Sequence, residues 1–172
     1  MSGTRIAIPL SASLISLKSA EFATISNWPY TDSFVQRLLK DDIAHRIVFG
    51  NCRLFLYHDP NKQPVGFGAL DLCNDYSSMV GKALHPYIPL LAVNPTIQSL
   101  GYGRSILNHL IGEAAVLSRF DYCADTLFLE VYSASTKAKA LYDRAGFQVI
   151  AENFDPIEKK QYEVMAKRVS PG

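Results

Sequence analysis

Leu91-Ala92-Val93-Asn94-Pro95-Thr96-Ile97-Gln98-Ser99-Leu100-Gly101-Tyr102-Gly103-Arg104-Ser105 is the stretch on which the fold turns. Before it runs an apolar strand, Tyr87 to Val93, stopped by Asn94-Pro95, since proline has no N–H to give to a sheet. After it, Ile106, Leu107, Leu110, Ile111, Ala114 and Leu117 recur at the three-and-four spacing of an amphipathic helix over Ser105–Leu117. The loop between, Gln98 to Ser105, offers an anion several backbone N–H groups and the positive end of a helix dipole. Glycines at 101 and 103 let the backbone come close and adopt positive φ. The dipole alone contributes roughly 0.3–1 kcal/mol per charge at an exposed site, so converging N–H groups must supply the rest.

Outward from this loop the elements alternate. Thr126–Tyr132 (TLFLEVY) reads as a strand, Thr136–Ala145 as a second amphipathic helix closed by Gly146, a fitting left-handed cap. Phe147–Ala151 and Tyr162–Val169 read as further strands. On the amino-terminal side, Arg53–His58 and Pro64–Leu72 form a hairpin across Asp59-Pro60-Asn61-Lys62-Gln63. Gly66 and Gly68 in its second strand point to a bulge or a close backbone approach. A strand is expected at Arg5–Leu10 and a helix at Ser33–Lys40, with Thr31 or Asp32 as its N-cap; Cys73–Leu84 reads as an irregular connection. Strand–helix alternation in the second half and a hairpin in the first predict an α/β fold with a mixed sheet flanked by helices.

Bulk properties narrow the function. At 172 residues the chain reads as a single domain over 1–172, and 48% hydrophobic with 19% charged residues describes a globular protein. Net charge is +1, from 17 basic and 16 acidic residues without clustering. That argues against a nucleic-acid partner, whose phosphates demand a concentrated basic surface. Cys52, Cys73 and Cys123 lack metal-ligand spacing and read as buried or half-buried free thiols of a reducing cytoplasm. No signal peptide and no apolar run near ~20 residues is present, so the expected location is the cytoplasm, away from membranes. No metal is expected.

The glycine loop alone admits other readings, because glycines also start helices for geometry. No G-x-x-x-x-G-K-[ST] occurs, and Ile106 stands where a dinucleotide fingerprint needs its third glycine. The spacing Val93-x-Pro95-x-x-Gln98-x-x-Gly101-x-Gly103 instead resembles the acetyl-CoA signature V-x-P-x-x-[QR]-x-x-G-x-[GA] of the GNAT acetyltransferase superfamily. Leu129-Glu130-Val131, Ser135, Ala138, Leu141-Tyr142 and Ala145-Gly146-Phe147 resemble that family's second motif. The likeness covers about residues 53–168. It implies a sheet splayed in the middle, with acetyl-CoA as co-substrate wedged between two parallel strands and an amine as acceptor. Leu91, Ala92 and Val93 would meet the pantetheine arm, and Gln98, Ser99, Leu100, Gly101, Tyr102, Gly103, Arg104 and Ser105 the pyrophosphate. Ser135, Ala138 and Leu141 would complete the coenzyme site. Ser135 replaces the usual Asn; its hydroxyl is shorter and offers fewer donors.

The resemblance also implies catalytic residues. Tyr142 matches the tyrosine placed near the coenzyme sulfur, a general acid. Glu130 is notable from the residues alone, because a carboxylate in an apolar strand must be solvated, paired or functional. Strand alternation sets it on one face with Phe128 and Tyr132. In the similar ribosomal-protein alanine acetyltransferases a glutamate in the same L-E-V context, twelve residues before the tyrosine as here, is taken as the base. His85 and Tyr87 precede the central strand and are lesser candidates for proton transfer. Asp71, Asn74 and Asp75 could attract a cationic amine, and Trp28-Pro29-Tyr30 could wall an acceptor pocket. A toxin-like acetyltransferase acting on aminoacyl-tRNA and a non-catalytic acetyl-CoA-binding module are the alternatives. Homodimerisation is left open.

Overall fold

The computed structural model describes residues 8–30 and 33–170. Seven strands, β1 (Ser11–Leu14), β2 (Arg53–His58), β3 (Pro64–Cys73), β4 (His85–Val93), β5 (Thr126–Tyr132), β6 (Gln148–Asp155) and β7 (Lys160–Arg168), form one sheet in the order β1-β2-β3-β4-β5-β7-β6. Helix α1 is Ala20–Ser26; α2 (Ser33–Arg37) continues through a π-helical segment, Leu38–Ile43, into α3 (Ala44–Phe49). A short α4 (Ser77–Val80), a 3₁₀ turn at Pro95–Ile97, α5 (Tyr102–Leu117) and α6 (Thr136–Arg144) complete the chain. The sheet is mixed, as the sequence predicts, and β4 with β5 is its parallel pair.

That parallel pair is short. Only Tyr87↔Phe128 and Ile88↔Leu129 are in register, and beyond them the strands part. β4 carries the cause: its pairing with β3 jumps from Tyr87↔Asp71 to Leu90↔Ala69, so Ile88 and Pro89 share one place opposite Leu70. The bulge is where a proline is tolerated in a strand interior, since its missing N–H breaks no ladder bond there.

Alternation sorts the apolar residues onto two faces. Phe55, Tyr57, Ile88, Leu127, Leu129, Val131 and Met165 pack under α5 and α6 with Ile106, Leu107, Leu110 and Tyr142. Leu54, Leu56, Phe67 and Leu90 pack on the other face with Ile25, Trp28, Leu39 and Ile43 from the amino-terminal helices. Tyr87, Phe128 and Val164 form a third cluster. Leu107 and Leu110 are fully buried, each worth about 1.5–3 kcal/mol of burial. Among the described residues, no helix is long and apolar enough to cross a membrane.

Several expectations need correction. The first strand is Ser11–Leu14, not Arg5–Leu10: residues 5–7 lie outside the described residues, and Ile8–Leu10 form no strand. Ser-Ala-Ser-Leu has little strand propensity of its own, and pairing with β2 makes it a strand. The helix expected to end at Lys40 runs to Phe49 because Leu39 and Ile43 anchor its π segment in the core; its proposed cap at Thr31 or Asp32 lies outside the described residues. Helix α1 was not foreseen. Helix α5 begins at Tyr102, not Ser105, and the Cys73–Leu84 connection holds α4.

Gly66 and Gly68 resolve to close approach. A Cβ on Gly66 would sit 2.5 Å from Ile106 Cδ1 and 2.7 Å from the Ala92 carbonyl oxygen, and one on Gly68 2.9 Å from Leu110 Cδ1. Helix α5 therefore rests directly on the β3 backbone. Gly66→Ala is expected to destabilise the fold by roughly 1–3 kcal/mol through overpacking, read as a lowered denaturant midpoint; an unchanged midpoint would show that α5 shifts freely.

Candidate active site

A cleft of about 1510 Å³ opens where β4 leaves β5. One wall is the carboxyl half of β4, at Leu91, Ala92 and Val93; the loop residues Gln98, Ser99, Leu100, Gly101, Gly103 and Arg104 form its end. Across from them stands α6, with Ser135, Ala138 and Leu141. All these residues were expected from sequence. Tyr102 does not line the cleft but packs against the main core, and Ser105 is set back one turn into α5.

The loop takes its shape from two left-handed residues, Ser99 at φ 70° and Gly101 at φ 92°. Gly101 is the N-cap of α5, and the first bond of that helix, Ser105 N–H to the Gly101 carbonyl at 3.4 Å, leaves the N–H groups before it to the cleft. Ser105 Oγ is buried without a hydrogen-bond partner. Lys137, in the first turn of α6, donates from Nζ to Ser99 Oγ at 2.7 Å, and Arg104 and Arg144 also line the cleft. Lys137 and Arg144 were missed because cations outside a motif look like ordinary surface charges.

The two catalytic candidates sit on opposite faces of β5. Tyr142 lies with Leu129 and Val131 in the main core, ring edge-on to Phe147 at 6.0 Å, and burial pushes its phenol up to about 12. It is nearly buried, between the cleft-lining Leu141 and Ala145. Glu130 is the exposed position of an otherwise buried or half-buried strand, one residue past the last paired position, Leu129. The Tyr76 hydroxyl donates to its Oε1.

The other sequence candidates serve the frame. His85 is wholly buried: its Nε2 accepts the Tyr76 N–H at 2.8 Å, which leaves the ring proton on Nδ1, 3.3 Å from the Pro86 carbonyl oxygen. Burial lowers its pKa. Asp71 is buried and holds Arg46 at 2.7 Å, the same guanidinium binding Asp42 at 2.9 Å and lying 5.2 Å over the Tyr87 ring. Asp71 is thus paired, and Asn74 lines a separate cavity of about 280 Å³ with His45 and Cys73. Trp28 packs on Phe67 in the core, and of Trp28, Pro29 and Tyr30 only Tyr30 lines the cleft. Cys52 and Cys73 are half-buried and Cys123 buried, all as free thiols.

A sequence profile of the acetyltransferase (GNAT) family matches residues 17–147. The chain belongs to that family and is an acetyl-CoA-dependent N-acetyltransferase. Its fold is also that of the spermidine N-acetyltransferase of Vibrio cholerae in complex with CoA and spermine, at 16% identity and TM-score 0.68, over 93% of this chain and 95% of that one. The ribosomal-protein alanine N-acetyltransferase of Escherichia coli is similar at 19% identity and TM-score 0.62, covering 94% and 95%. Arabidopsis thaliana NAA60, in complex with a bisubstrate analogue, gives 13% and 0.64, covering 94% and 100%. No curated protein sequence matches the chain.

The His85 arrangement has a consequence for stability. Its folded pKa lies below the unfolded value of 6.5, so below that pH the unfolded chain binds the extra proton and stability falls as pH falls. The slope from this residue reaches at most about 1.4 kcal/mol per pH unit. His85→Gln, which keeps an acceptor for the Tyr76 N–H, is expected to flatten the decline in stability between pH 6.5 and 5. An unaltered slope in denaturant titrations would mean His85 is protonated in the fold.

Proposed function

We propose that the whole chain acts as one N-acetyltransferase domain whose acceptor is an amine carrying a single positive charge, a peptide or protein amino terminus or a small primary amine. The observation that carries this reading is the cleft at the parting of β4 and β5, rimmed by uncommitted N–H groups and by Arg104, Lys137 and Arg144. Acetyl-CoA fits it residue by residue. The pyrophosphate would rest on the α5 N-terminus, where several amides converge and the buried Ser105 hydroxyl lacks a partner. The backbone of Leu91–Val93 faces the gap left by β5 and has amides and carbonyls for the pantetheine arm. A phosphate between Ser99 and Lys137 would offset a cation that the dipole of α6 disfavours in its first turn.

The acetyl group then sits in the gap, with one catalytic candidate on either face. The ammonium arrives on the Glu130 face and loses one proton to that carboxylate, which passes it to solvent; the neutral amine then attacks the thioester carbonyl, and Glu130 takes the second proton from the nitrogen. The N–C bond forms, the C–S bond breaks, and the thiolate leaves toward Tyr142. Holding both partners in one cleft removes much of the entropic barrier.

Charge near Glu130 favours a monocation. Arg37 neutralises Glu158, Lys139 holds Glu163 at 2.8 Å, and Asp155 spends its carboxylate on the Tyr132 hydroxyl and the N–H groups of Ile157 and Glu158. Glu130 hydrogen-bonds a neutral phenol and not a cation, so its carboxylate can take one ammonium. A polyamine, such as the spermidine for which the Vibrio cholerae enzyme is named, needs several.

Calorimetry with acetyl-CoA and a screen of peptide amino termini, small primary amines and spermidine test this. Wild type is expected to bind acetyl-CoA, Gly101→Glu to lose binding, and Lys137→Ala to weaken it roughly tenfold, the loss of one charge-assisted hydrogen bond. Tyr142→Phe should lower turnover by about 10–100-fold with coenzyme affinity unchanged. Spermidine outperforming every monoamine would overturn the acceptor class, and absence of acetyl-CoA binding the site.

A further inference from the structure

Tyr76 belongs to neither motif, yet it links the two halves of the site. It lies in the connection between β3 and β4, fixed at three points. Its backbone N–H donates to the buried His85, its ring stacks on Phe128 with centroids 5.0 Å apart and planes 20° from parallel, and its hydroxyl donates to Glu130. The connection is tied down in turn. Ser77 Oγ donates to the Ala83 carbonyl at 2.8 Å, the Gly81 N–H to the Ser77 carbonyl at 3.0 Å, and the Leu84 N–H to the Tyr122 carbonyl at 3.1 Å. Nothing in this arrangement requires a hydroxyl for packing, since a phenylalanine would stack on Phe128 equally well.

We infer that Tyr76 is the positioning residue for the acceptor side of the reaction: its hydroxyl fixes the Glu130 carboxylate and aims it at the parting of β4 and β5, where the amine proton is taken up. This rests on the reading of Glu130 as the base. Tyr76 crosses over the last paired positions, Tyr87↔Phe128 and Ile88↔Leu129, and meets Glu130 immediately beyond them. A carboxylate on an exposed strand face would otherwise rotate freely among solvated rotamers. A single fixed donor removes that freedom and leaves the second oxygen, Oε2, for the ammonium.

Tyr76 binds Glu130 directly, Tyr87 of β4 faces it with Arg46 of α3 over its ring, and Asp75 and Tyr162 lie near the Tyr76 phenol. Burial and the neighbouring carboxylate keep the Tyr76 phenol protonated far above neutrality, so it stays a donor across the working range. A donor to the ionised form of a carboxylate favours that form.

The test compares wild type, Tyr76→Phe, Glu130→Gln and the double variant by pH profiles of kcat/KM on the best acceptor. Tyr76→Phe is expected to move the acidic limb upward by about one pH unit and to lower kcat about tenfold. Glu130→Gln should remove that limb, and the double variant should match Glu130→Gln. Titration of Glu130 by carbon-detected NMR in the free protein gives a second readout independent of turnover, with the same upward shift expected. If Glu130→Gln removes the limb while Tyr76→Phe leaves limb and titration unmoved, the inference on Tyr76 fails and the base assignment stands. If Glu130→Gln leaves the limb in place, the base assignment fails and this inference with it.

Discussion

Pro89 has no N–H, and it stands in the middle of the central strand. A strand paired on both sides could not accommodate it. β4 does so by bulging against β3 at Ile88–Pro89 and by ending its parallel ladder with β5 at the residue before. From that one omission follow the gap between two strands that would otherwise be zipped together, the backbone of Leu91–Val93 left facing the gap, and the room for α5 and α6 to form the other walls. The same parting leaves Glu130, next along β5, without a partner on the β4 side while β7 pairs with its other side. The gap survives because both flanks are overdetermined. β4 stays paired with β3 as far as Val93, and β5 is paired along its whole length with β7.

What could be read without coordinates was what local chemistry dictates. The hairpin from Arg53, the strand at Thr126–Tyr132, the helix after the glycine loop and the cap at Gly146 all carry their signal within a few residues. β1 and the π-helical segment do not: each owes its form to a partner far along the chain, β2 for one and the core seat of Leu39 and Ile43 for the other. The cleft-lining residues of β4, the glycine loop and α6 were legible because motif spacing is local. Lys137 and Arg144 were not, since only the fold shows which scattered cations point into a cleft. Pro89 was legible in principle, because a proline inside an apolar strand announces a bulge.

The position of His85 illustrates how a residue type misleads. A histidine at the start of the central strand invites a role in proton transfer. Yet full burial and two bonds of fixed polarity hold it neutral, as the internal acceptor that a loop N–H requires. Its connection to chemistry runs through the loop it anchors. The buried Asp71 likewise trades a functional appearance for a structural one, since Arg46 cancels its charge.

Proton accounting decides what Tyr142 can do. Overall, the proton lost by the amine must end on the coenzyme sulfur. A phenol raised to about 12 is a weaker acid than a thiol, whose unperturbed pKa is about 8.5. Complete transfer from Tyr142 to the departing thiolate is therefore uphill by between three and four pK units, or about 5 kcal/mol. A hydrogen bond that strengthens as negative charge grows on sulfur has no such cost, and it acts where the charge develops. In this reading Tyr142 stabilises the leaving group without surrendering its proton, and the thiolate is neutralised by solvent after the product amide departs. The two sides of the reaction then differ in kind. On the proposed reading a proton moves on the Glu130 face, whereas on the Tyr142 face a dipole waits for charge.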